Sequence, residues 1–185
     1  MANFIILVPF LHKAEGGLSR DKTDTASKFP CPTPYQGKTG WHTNKGITYQ
    51  NWVLNFGRSK DDRFFKMNTE DWAKITKSKY WDKWKADQII SQKVANILVD
   101  YVFNSGSHGI KNVQKLVGVN PDGVVGPKTL DAVNKQPEKE FLTRLYNERY
   151  RFYDAIIRSN PTQAKFKNGW YNRVKDLKSF NDKLK

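Results

Sequence analysis

The strongest constraint on the fold is a broad apolar face in residues 87–103. Apolar side chains recur there at helical spacing, at Ile90, Val94, Ile97, Leu98, Tyr101 and Val102. A helix that is apolar over so much of its circumference is covered by other elements on several sides. The pattern therefore predicts a helix at the centre of a helical protein, ended by Asn104-Ser105-Gly106.

Further helices are predicted on both sides of this segment. Residues 3–14 and 48–56 have helical periodicity, the first interrupted by Pro9 and the second ended by Gly57, and another helix begins at Asn68 or Thr69. Later helices are predicted at residues 110–117, after Gly126-Pro127, from residue 137 and over 168–184. Residues 17–46 have no helical period and are rich in Gly, Pro, Thr and Ser, which predicts a long loop or a small hairpin.

The charge of the chain predicts a polyanionic partner. Its 185 residues include 32 Lys and Arg against 18 Asp and Glu, a net charge of +14. A surplus this large favours nucleic acid, an anionic membrane or the bacterial cell wall as the partner, although it also serves solubility alone.

The single Cys31 excludes an internal disulfide framework. The longest apolar run, residues 4–10, is too short to span a membrane. It is not expected to be a secretory leader, because it lacks a basic start and a cleavage site and is interrupted by Pro9.

Carboxylates near the end of the first predicted helix indicate acid–base chemistry. Glu15, followed by Gly16-Gly17, ends an apolar helix, where burial raises the pKa of a carboxyl group. A carboxylic acid that stays protonated near neutral pH is the proton donor that glycosidic bond cleavage requires. Asp21 and Asp24 lie in the following polar stretch, where a carboxylate stays ionised. Taken alone, these residue types fit a residue at a helix end followed by loop-capping side chains better than they fit a catalytic site.

Two sequence elements add a family resemblance. Glu15-Gly16-Gly17, followed by Thr43-Asn44-Lys45-Gly46-Ile47-Thr48, resembles the bacterial and phage N-acetylmuramidases of glycoside hydrolase family 108. The second half resembles the small peptidoglycan-binding domain that accompanies them. Its matching residues are Asp100, Asn104-Ser105-Gly106, Leu116-Val117-Gly118, Asp122-Gly123, Gly126-Pro127, Thr129-Leu130, Phe166, Gly169-Trp170 and Arg173. The two resemblances together cover nearly the whole chain.

The resemblance implies catalytic roles for three residues. Glu15 is the general acid, Asp24 positions the attacking water, and Thr43 assists it. Inverting phage lysozymes, a more distant similarity, also place an Asp nine residues after the catalytic Glu, as Asp24 follows Glu15. The longer stretch between Asp24 and Thr43, and Leu18 where relatives often carry Tyr, are departures from these patterns.

Substrate-binding residues are predicted around the same cleft. Asp21 is an alternative to Asp24 for holding the water, Trp41 is the tryptophan best placed to stack on a sugar, and Asn104 contacts sugar or caps a helix. The remaining tryptophans are expected mainly in the core or at its rim. No metal or cofactor is expected, because Asp122-Gly123 lacks the carboxylate ladder of a calcium loop and is predicted to be a turn before a helix.

The combined prediction is a mainly α, lysozyme-like protein. Residues 1–96 form the catalytic part, and residues 97–185 form a helical peptidoglycan-binding-like part packed on it as one unit. The expected reaction is hydrolysis of the β-1,4 bond between N-acetylmuramic acid and N-acetylglucosamine, with inversion. A lytic transglycosylase, a non-catalytic wall-binding or secretion-related protein, and a nucleic-acid-binding protein remain as alternatives.

The expected partner is the glycan strand of peptidoglycan, bound by a monomer that neither inserts stably into membranes nor binds nucleic acid. The protein is expected to be made in a bacterial cytoplasm and to act at the cell wall or in the periplasm. A phage or prophage endolysin that lyses bacteria after release through a membrane pore fits this location, as does dedicated export.

Overall fold

The computed structural model describes residues 1–13, 43–58 and 61–185, together with the backbone of Leu18–Ser19. The fold is mainly α with a small β-sheet, as the sequence predicts. The chain divides into two compact units, residues 11–79 and residues 1–10 with 80–185. The predicted boundary between residues 96 and 97 concerns function and stays a prediction.

Helix α1 (Phe4–Lys13) begins the chain and contains Pro9 within it. The side chain of Asn3 caps this helix, because its Oδ1 accepts a hydrogen bond of 3.0 Å from the backbone of Ile5. Phe4, Leu7 and Leu11 are buried at helical spacing. The apolar periodicity of residues 3–14 therefore identified a real helix in spite of the proline.

The unit of residues 11–79 combines the sheet with three short helices. Strands β1 (Leu18–Ser19), β2 (Thr43–Asn44) and β3 (Ile47–Thr48) form an antiparallel sheet in that order. Helices α2 (Tyr49–Phe56), α3 (Asp61–Phe65) and α4 (Thr69–Thr76) follow. Their apolar faces form an aromatic core of Tyr49, Trp52, Phe64, Phe65 and Trp72. The predicted cap of α4 is confirmed, since Asn68 Oδ1 accepts from the backbone of Asp71 at 2.8 Å.

A series of tight turns precedes the central helix. A π-helical turn (Lys77–Trp81) leads to two 3₁₀ turns (Asp82–Trp84 and Ala86–Gln88). The prediction that the central helix begins at residue 87 is therefore wrong. It begins at Gln92, because Ser91 Oγ accepts from the backbone of Val94 at 3.1 Å and caps the helix there.

Helix α5 (Gln92–Ser105) is the buried helix that the sequence predicts. Every residue from Val94 to Val102 is buried. Helix α6 (Ser107–Leu116) packs closely on it at Gly109, where an added Cβ would lie 2.8 Å from backbone atoms of Tyr101 and Val102. A glycine is required at this crossing because no side chain fits between the two backbones.

The C-terminal helices complete the second unit. Helix α7 (Pro127–Asn134) starts at the predicted proline, and α8 (Glu138–Ser159), a 3₁₀ turn (Pro161–Phe166) and α9 (Lys167–Asp182) follow. Helices α8 and α9 pack on each other and on α5. No helix in the described ranges is long and apolar enough to cross a membrane.

Candidate active site

A tight hairpin carries the Thr-Asn-Lys-Gly-Ile-Thr element. Lys45 and Gly46, between β2 and β3, have φ angles of 47° and 73°. Two successive residues with positive φ form a type I′ turn, whose twist matches that of the flanking strands. Gly46 adopts this conformation without a steric penalty, whereas Lys45 is held in it by contacts to its side chain and carbonyl.

The sheet brings the two sequence elements of the family resemblance together. Leu18 pairs with Asn44, and Ser19 pairs with Thr43. Leu18 comes directly after Glu15-Gly16-Gly17 in the sequence. The strand that follows the glutamate element therefore lies beside the threonine element, although 23 residues separate them (43 − 19 − 1).

Hydrogen bonds from α3 and α4 hold this hairpin in place. The buried Asn44 donates from Nδ2 to the carbonyl oxygens of Phe64 and Phe65 at 2.7 and 3.3 Å. Lys45 Nζ donates to the carbonyl of Met67 at 2.7 Å, and Trp72 Nε1 donates to the carbonyl of Lys45 at 2.9 Å. These bonds give Thr43 a defined position on the hairpin.

The end of α1 contacts the same unit through His12. Its ring lies edge-on to Trp72, with the ring centroids 5.2 Å apart. His12 Nε2 is buried and has no hydrogen-bond partner among the described residues. Because Glu15 follows His12 by three residues, this packing anchors the helix that leads into the glutamate element.

Two of the predicted site residues, Thr43 and Asn104, lie within the described part of the chain. Thr43 is half-buried in β2. Asn104 is exposed near the end of α5, where its Nδ2 donates to the carbonyl of Asp100 at 2.7 Å. That bond runs back to a carbonyl within α5, whose C-cap is Gly106, so Asn104 is not the residue that caps the helix. The remaining predicted residues, Glu15, Asp21, Asp24 and Trp41, lie outside the described residues.

The tryptophans in the described ranges support the expectation of core positions. Trp52, Trp72, Trp81 and Trp84 are fully buried, so their rings form core rather than sugar-stacking surface. Trp170 is half-buried and stacks on Tyr153, with the ring planes 18° apart and the centroids 5.0 Å apart.

A buried ion cluster explains several residues of the second resemblance. The fully buried Asp100 accepts hydrogen bonds from Arg149, which is also fully buried, and from Arg173 at 2.8 and 3.0 Å. Arg149 also donates to Tyr153 Oη at 2.8 Å. Burial alone would raise the pKa of Asp100, but the two guanidinium groups together hold this pKa below its usual value.

The cluster joins three helices and includes a residue that sequence reasoning did not select. Asp100 lies on α5, Arg149 on α8 and Arg173 on α9. Burial would lower the pKa of Arg149, but Asp100 and Tyr153 raise it above the ordinary value of arginine. Arg149 occupies a position on the otherwise apolar face of α8 that bears Phe141, Leu145 and Tyr153, and a charged residue there was the available signal.

Asp122 forms the predicted turn. Its Oδ1 accepts from the backbone of Val124 and from Gln114 Nε2, both at 2.8 Å, and these bonds lower the pKa of its carboxyl group. In the described ranges no group of three His, Cys, Asp or Glu side chains is arranged to hold a metal ion.

Comparisons with known proteins agree with the two family resemblances in the sequence. A family model described as "Glycosyl hydrolase 108" matches residues 8–106, and one described as "Predicted Peptidoglycan domain" matches residues 108–175. The solved structure entitled "Structure of Brucella abortus SagA" is similar over 96% of this chain and 92% of that chain, with a TM-score of 0.71 and 27% sequence identity. No curated protein matches the sequence.

Proposed function

Because the chain belongs to glycosyl hydrolase family 108, a glycoside hydrolase family that acts on peptidoglycan, we propose the bond that it cleaves and the residues that cleave it. The bond is the β-1,4 linkage between N-acetylmuramic acid and N-acetylglucosamine. Glu15 is the general acid. The observation that carries the proposal is the pairing of Ser19 with Thr43, which sets the strand after Glu15-Gly16-Gly17 beside the threonine element.

Glu15 has the sequence position that a proton donor needs. It follows α1 by two residues and precedes β1 by three, so the chain tethers it between the anchored helix and the sheet. We infer that the carboxyl group of Glu15 is partly buried in the cleft, because burial would raise its pKa and keep it protonated near neutral pH. The protonated acid then donates to the oxygen of the leaving sugar as the glycosidic bond breaks.

The second carboxylate activates water in this proposal. Asp24 accepts a proton from a water molecule on the face of the sugar opposite Glu15, and the hydroxyl of Thr43 orients that water. This geometry inverts the configuration at the anomeric carbon and requires the two carboxyl groups to be about 6.5–9.5 Å apart. Asp21, Trp41 and Asn104 complete the proposal as substrate-binding residues, with Asp21 the alternative to Asp24.

The second half has a wall-binding role in this proposal. Residues 97–185 hold the enzyme on its polymer, while residues 1–96 carry the chemistry. The net charge of +14 attracts the protein to the anionic wall and makes retention sensitive to ionic strength. Bacteriolytic action after release by a phage, or after dedicated export, is the setting that we propose for this enzyme.

Digestion of purified sacculi tests the reaction. We expect wild-type protein to release muropeptides with reducing N-acetylmuramic acid ends, and NMR of fresh product to detect the α anomer before mutarotation. Glu15→Gln should abolish release. The matched control is Glu70→Gln, on an exposed position of α4, which should keep wild-type activity.

The products also separate the alternative chemistries. Ends in 1,6-anhydro-N-acetylmuramic acid would replace hydrolysis by lytic transglycosylation, which needs one acid–base residue and no positioned water. Reducing N-acetylglucosamine ends would move cleavage to the other glycosidic bond. Full activity of Glu15→Gln would remove Glu15 from its assigned role.

A further inference from the structure

A cavity of about 330 Å³ lies within the second unit, and its lining does not include the charged residues of the Asp100 cluster. It is lined by Lys83, Lys85, Val102, Ser107, Ile110, Gly123, Val124 and Val125. Its volume is at the lower end of the range for small-molecule sites, which suits a short peptide segment. Thr43, the one described residue among those assigned to glycosidic bond cleavage, does not line it.

One wall of the cavity presents two lysines on a rigid backbone. Lys83 and Lys85 are exposed and flank Trp84, which is fully buried and anchors the segment. Lys85 has a φ angle of 48°, and its backbone N–H donates to the carbonyl of Asp82 at 3.0 Å. A non-glycine residue in this conformation is held by its surroundings, which commonly occurs at functional sites.

Gly123, Val124 and Val125 also line the cavity, in a turn that the buried Gln114 holds in shape. Gln114 Oε1 accepts from the backbone of Gly123 at 2.8 Å, and its Nε2 donates to the carbonyl of Val124 at 3.0 Å. The same Nε2 also donates to Asp122 Oδ1. The wall is therefore preorganised, so little conformational entropy is lost when a ligand binds there.

The floor of the cavity is apolar. Val102, Ile110 and Val125 are buried in it, while Val124 at the mouth is 67% exposed. Neither Lys83 nor Lys85 forms an ion pair within the described part of the chain. Among the described residues, their two positive charges therefore line an apolar recess without forming an ion pair. This combination suits a ligand with small apolar side chains and at least one carboxylate.

We propose that this cavity binds the short, alanine-containing peptide that peptidoglycan carries on its N-acetylmuramic acid residues. Its methyl groups enter the apolar recess, and its carboxylate lies between Lys83 and Lys85. The inference deepens the proposed function and rests on peptidoglycan as the substrate. It assigns a recognition element for the peptide to the unit formed by residues 1–10 and 80–185.

The apolar floor of the cavity favours this peptide over a polyphosphate wall polymer. A glycerol phosphate chain would neutralise the two lysines but would leave the buried floor of Val102 and Ile110 without an apolar partner. The peptide uses both features of the site. Lysine also acts as a point charge without the planar fork of arginine, so it tolerates a carboxylate in several orientations.

Calorimetric titration of the full chain with a synthetic stem tetrapeptide tests the proposal. The peptide ends in D-Ala and has free carboxylates, and its fully amidated form is the matched ligand control. We expect the free acid to bind and the amidated form to bind about tenfold more weakly. The peptide contains no glycosidic bond, so the titration is independent of hydrolysis.

Three substitutions locate the binding. Lys83→Ala and Lys85→Gly should each weaken binding about tenfold, and glycine at position 85 retains the positive φ angle. Val124→Glu places a negative charge at the exposed mouth and should reduce affinity at least as much. The matched control is Lys139→Ala, an exposed position on α8 outside the cavity, which should bind as wild type.

Equal affinity of the wild type and all three cavity variants would overturn the proposal. Absence of peptide binding at millimolar concentration would also overturn it, as would binding of a polyglycerol phosphate probe in place of the peptide. Hydrolysis of peptide-free glycan strands is measured separately. A protein that cleaves those strands but ignores the peptide contradicts only this inference, whereas one that binds the peptide without cleaving contradicts only the proposed reaction.

Discussion

Arg173 Nε and Nη2 donate to a single carboxylate oxygen of Asp100 at 3.0 and 2.8 Å, although the two residues lie 73 positions apart in the chain. Arg149 satisfies the other oxygen of Asp100. The three side chains join α5, α8 and α9 inside the second unit. Asp100 and Arg173, two positions on which the resemblance of the second half depends, therefore stabilise the fold in this structure.

Removing the charge of Asp100 should strongly destabilise the protein. We expect Asp100→Asn to lower the free energy of unfolding by about 3–5 kcal/mol, because Arg149 would remain buried without its counter-ion. Urea unfolding measures this change. The matched control is Asp131→Asn, which removes an exposed ion pair with Lys135 and should change stability by less than about 0.5 kcal/mol. Equal effects of the two substitutions would contradict a stabilising role of the cluster.

The same cluster predicts a loss of stability in acid. The pKa of Asp100 is lowered in the folded protein, so the unfolded chain takes up this proton at a higher pH than the folded chain does. The contribution of ionised Asp100 to the free energy of unfolding is complete above the pKa of about 3.9 that it has in the unfolded chain. This contribution is lost as the pH falls towards the pKa in the folded protein. Urea unfolding between pH 5 and 2 should therefore show that the difference in the free energy of unfolding between wild type and Asp100→Asn becomes smaller as the pH falls. A difference that stays constant over this pH range would contradict the link between protonation of Asp100 and stability.

Replacement by alanine should change the stability of the protein in opposite directions at two glycines. Gly109→Ala places a Cβ 2.8 Å from the backbone of Tyr101 and Val102, so α6 must move away from α5 at a cost of about 1–3 kcal/mol. Gly169, in α9, has open space around the same position. Gly169→Ala should stabilise by about 0.5–1 kcal/mol, since alanine favours the helix. Thermal unfolding checks both, and stabilisation by Gly109→Ala would refute the close packing of the two helices.

Asn44 should matter for both stability and hydrolysis. Asn44→Ala removes the donor to the carbonyls of Phe64 and Phe65, and the unpaired groups should cost about 1–3 kcal/mol. Hydrolysis of sacculi should slow as well, because Thr43 is on the same strand. Asn55→Ala is the control, since it removes one exposed bond to the carbonyl of Asn51. Unchanged stability of Asn44→Ala would show that the hairpin does not depend on these bonds.

A comparison of Asp24→Asn with Asp21→Asn assigns the second carboxylate. We expect Asp24→Asn to abolish hydrolysis, because the amide cannot accept a proton from the attacking water. Asp21→Asn should mainly weaken substrate binding and thus raise KM. Initial rates on soluble glycan strands separate the two effects. Loss of turnover in Asp21→Asn alone would transfer the role to Asp21.

Local signals were sufficient for much of the fold. The apolar periodicity of α5, the asparagine cap at Asn68 and the proline at the start of α7 each depend on residues within a few positions, so the sequence displays them directly. The same reasoning misplaced the start of α5, because the apolar Ile89 and Ile90 continue the pattern through residues that form a 3₁₀ turn and an extended segment. Ser91 was the competing signal, and its capping bond decides the boundary.

The family and its class of enzyme were also readable from the chain, since short elements such as Glu15-Gly16-Gly17 and Thr43-Asn44 carry the resemblance to family 108. Contacts between distant residues were not readable. Ser19 beside Thr43, Arg149 against Asp100, and the cavity between the segment of Lys83–Lys85 and the turn of Gln114 each need the backbone to return from far along the chain. Sequence patterns report the local preference of a residue, whereas these partners are selected by the packing of whole helices and strands.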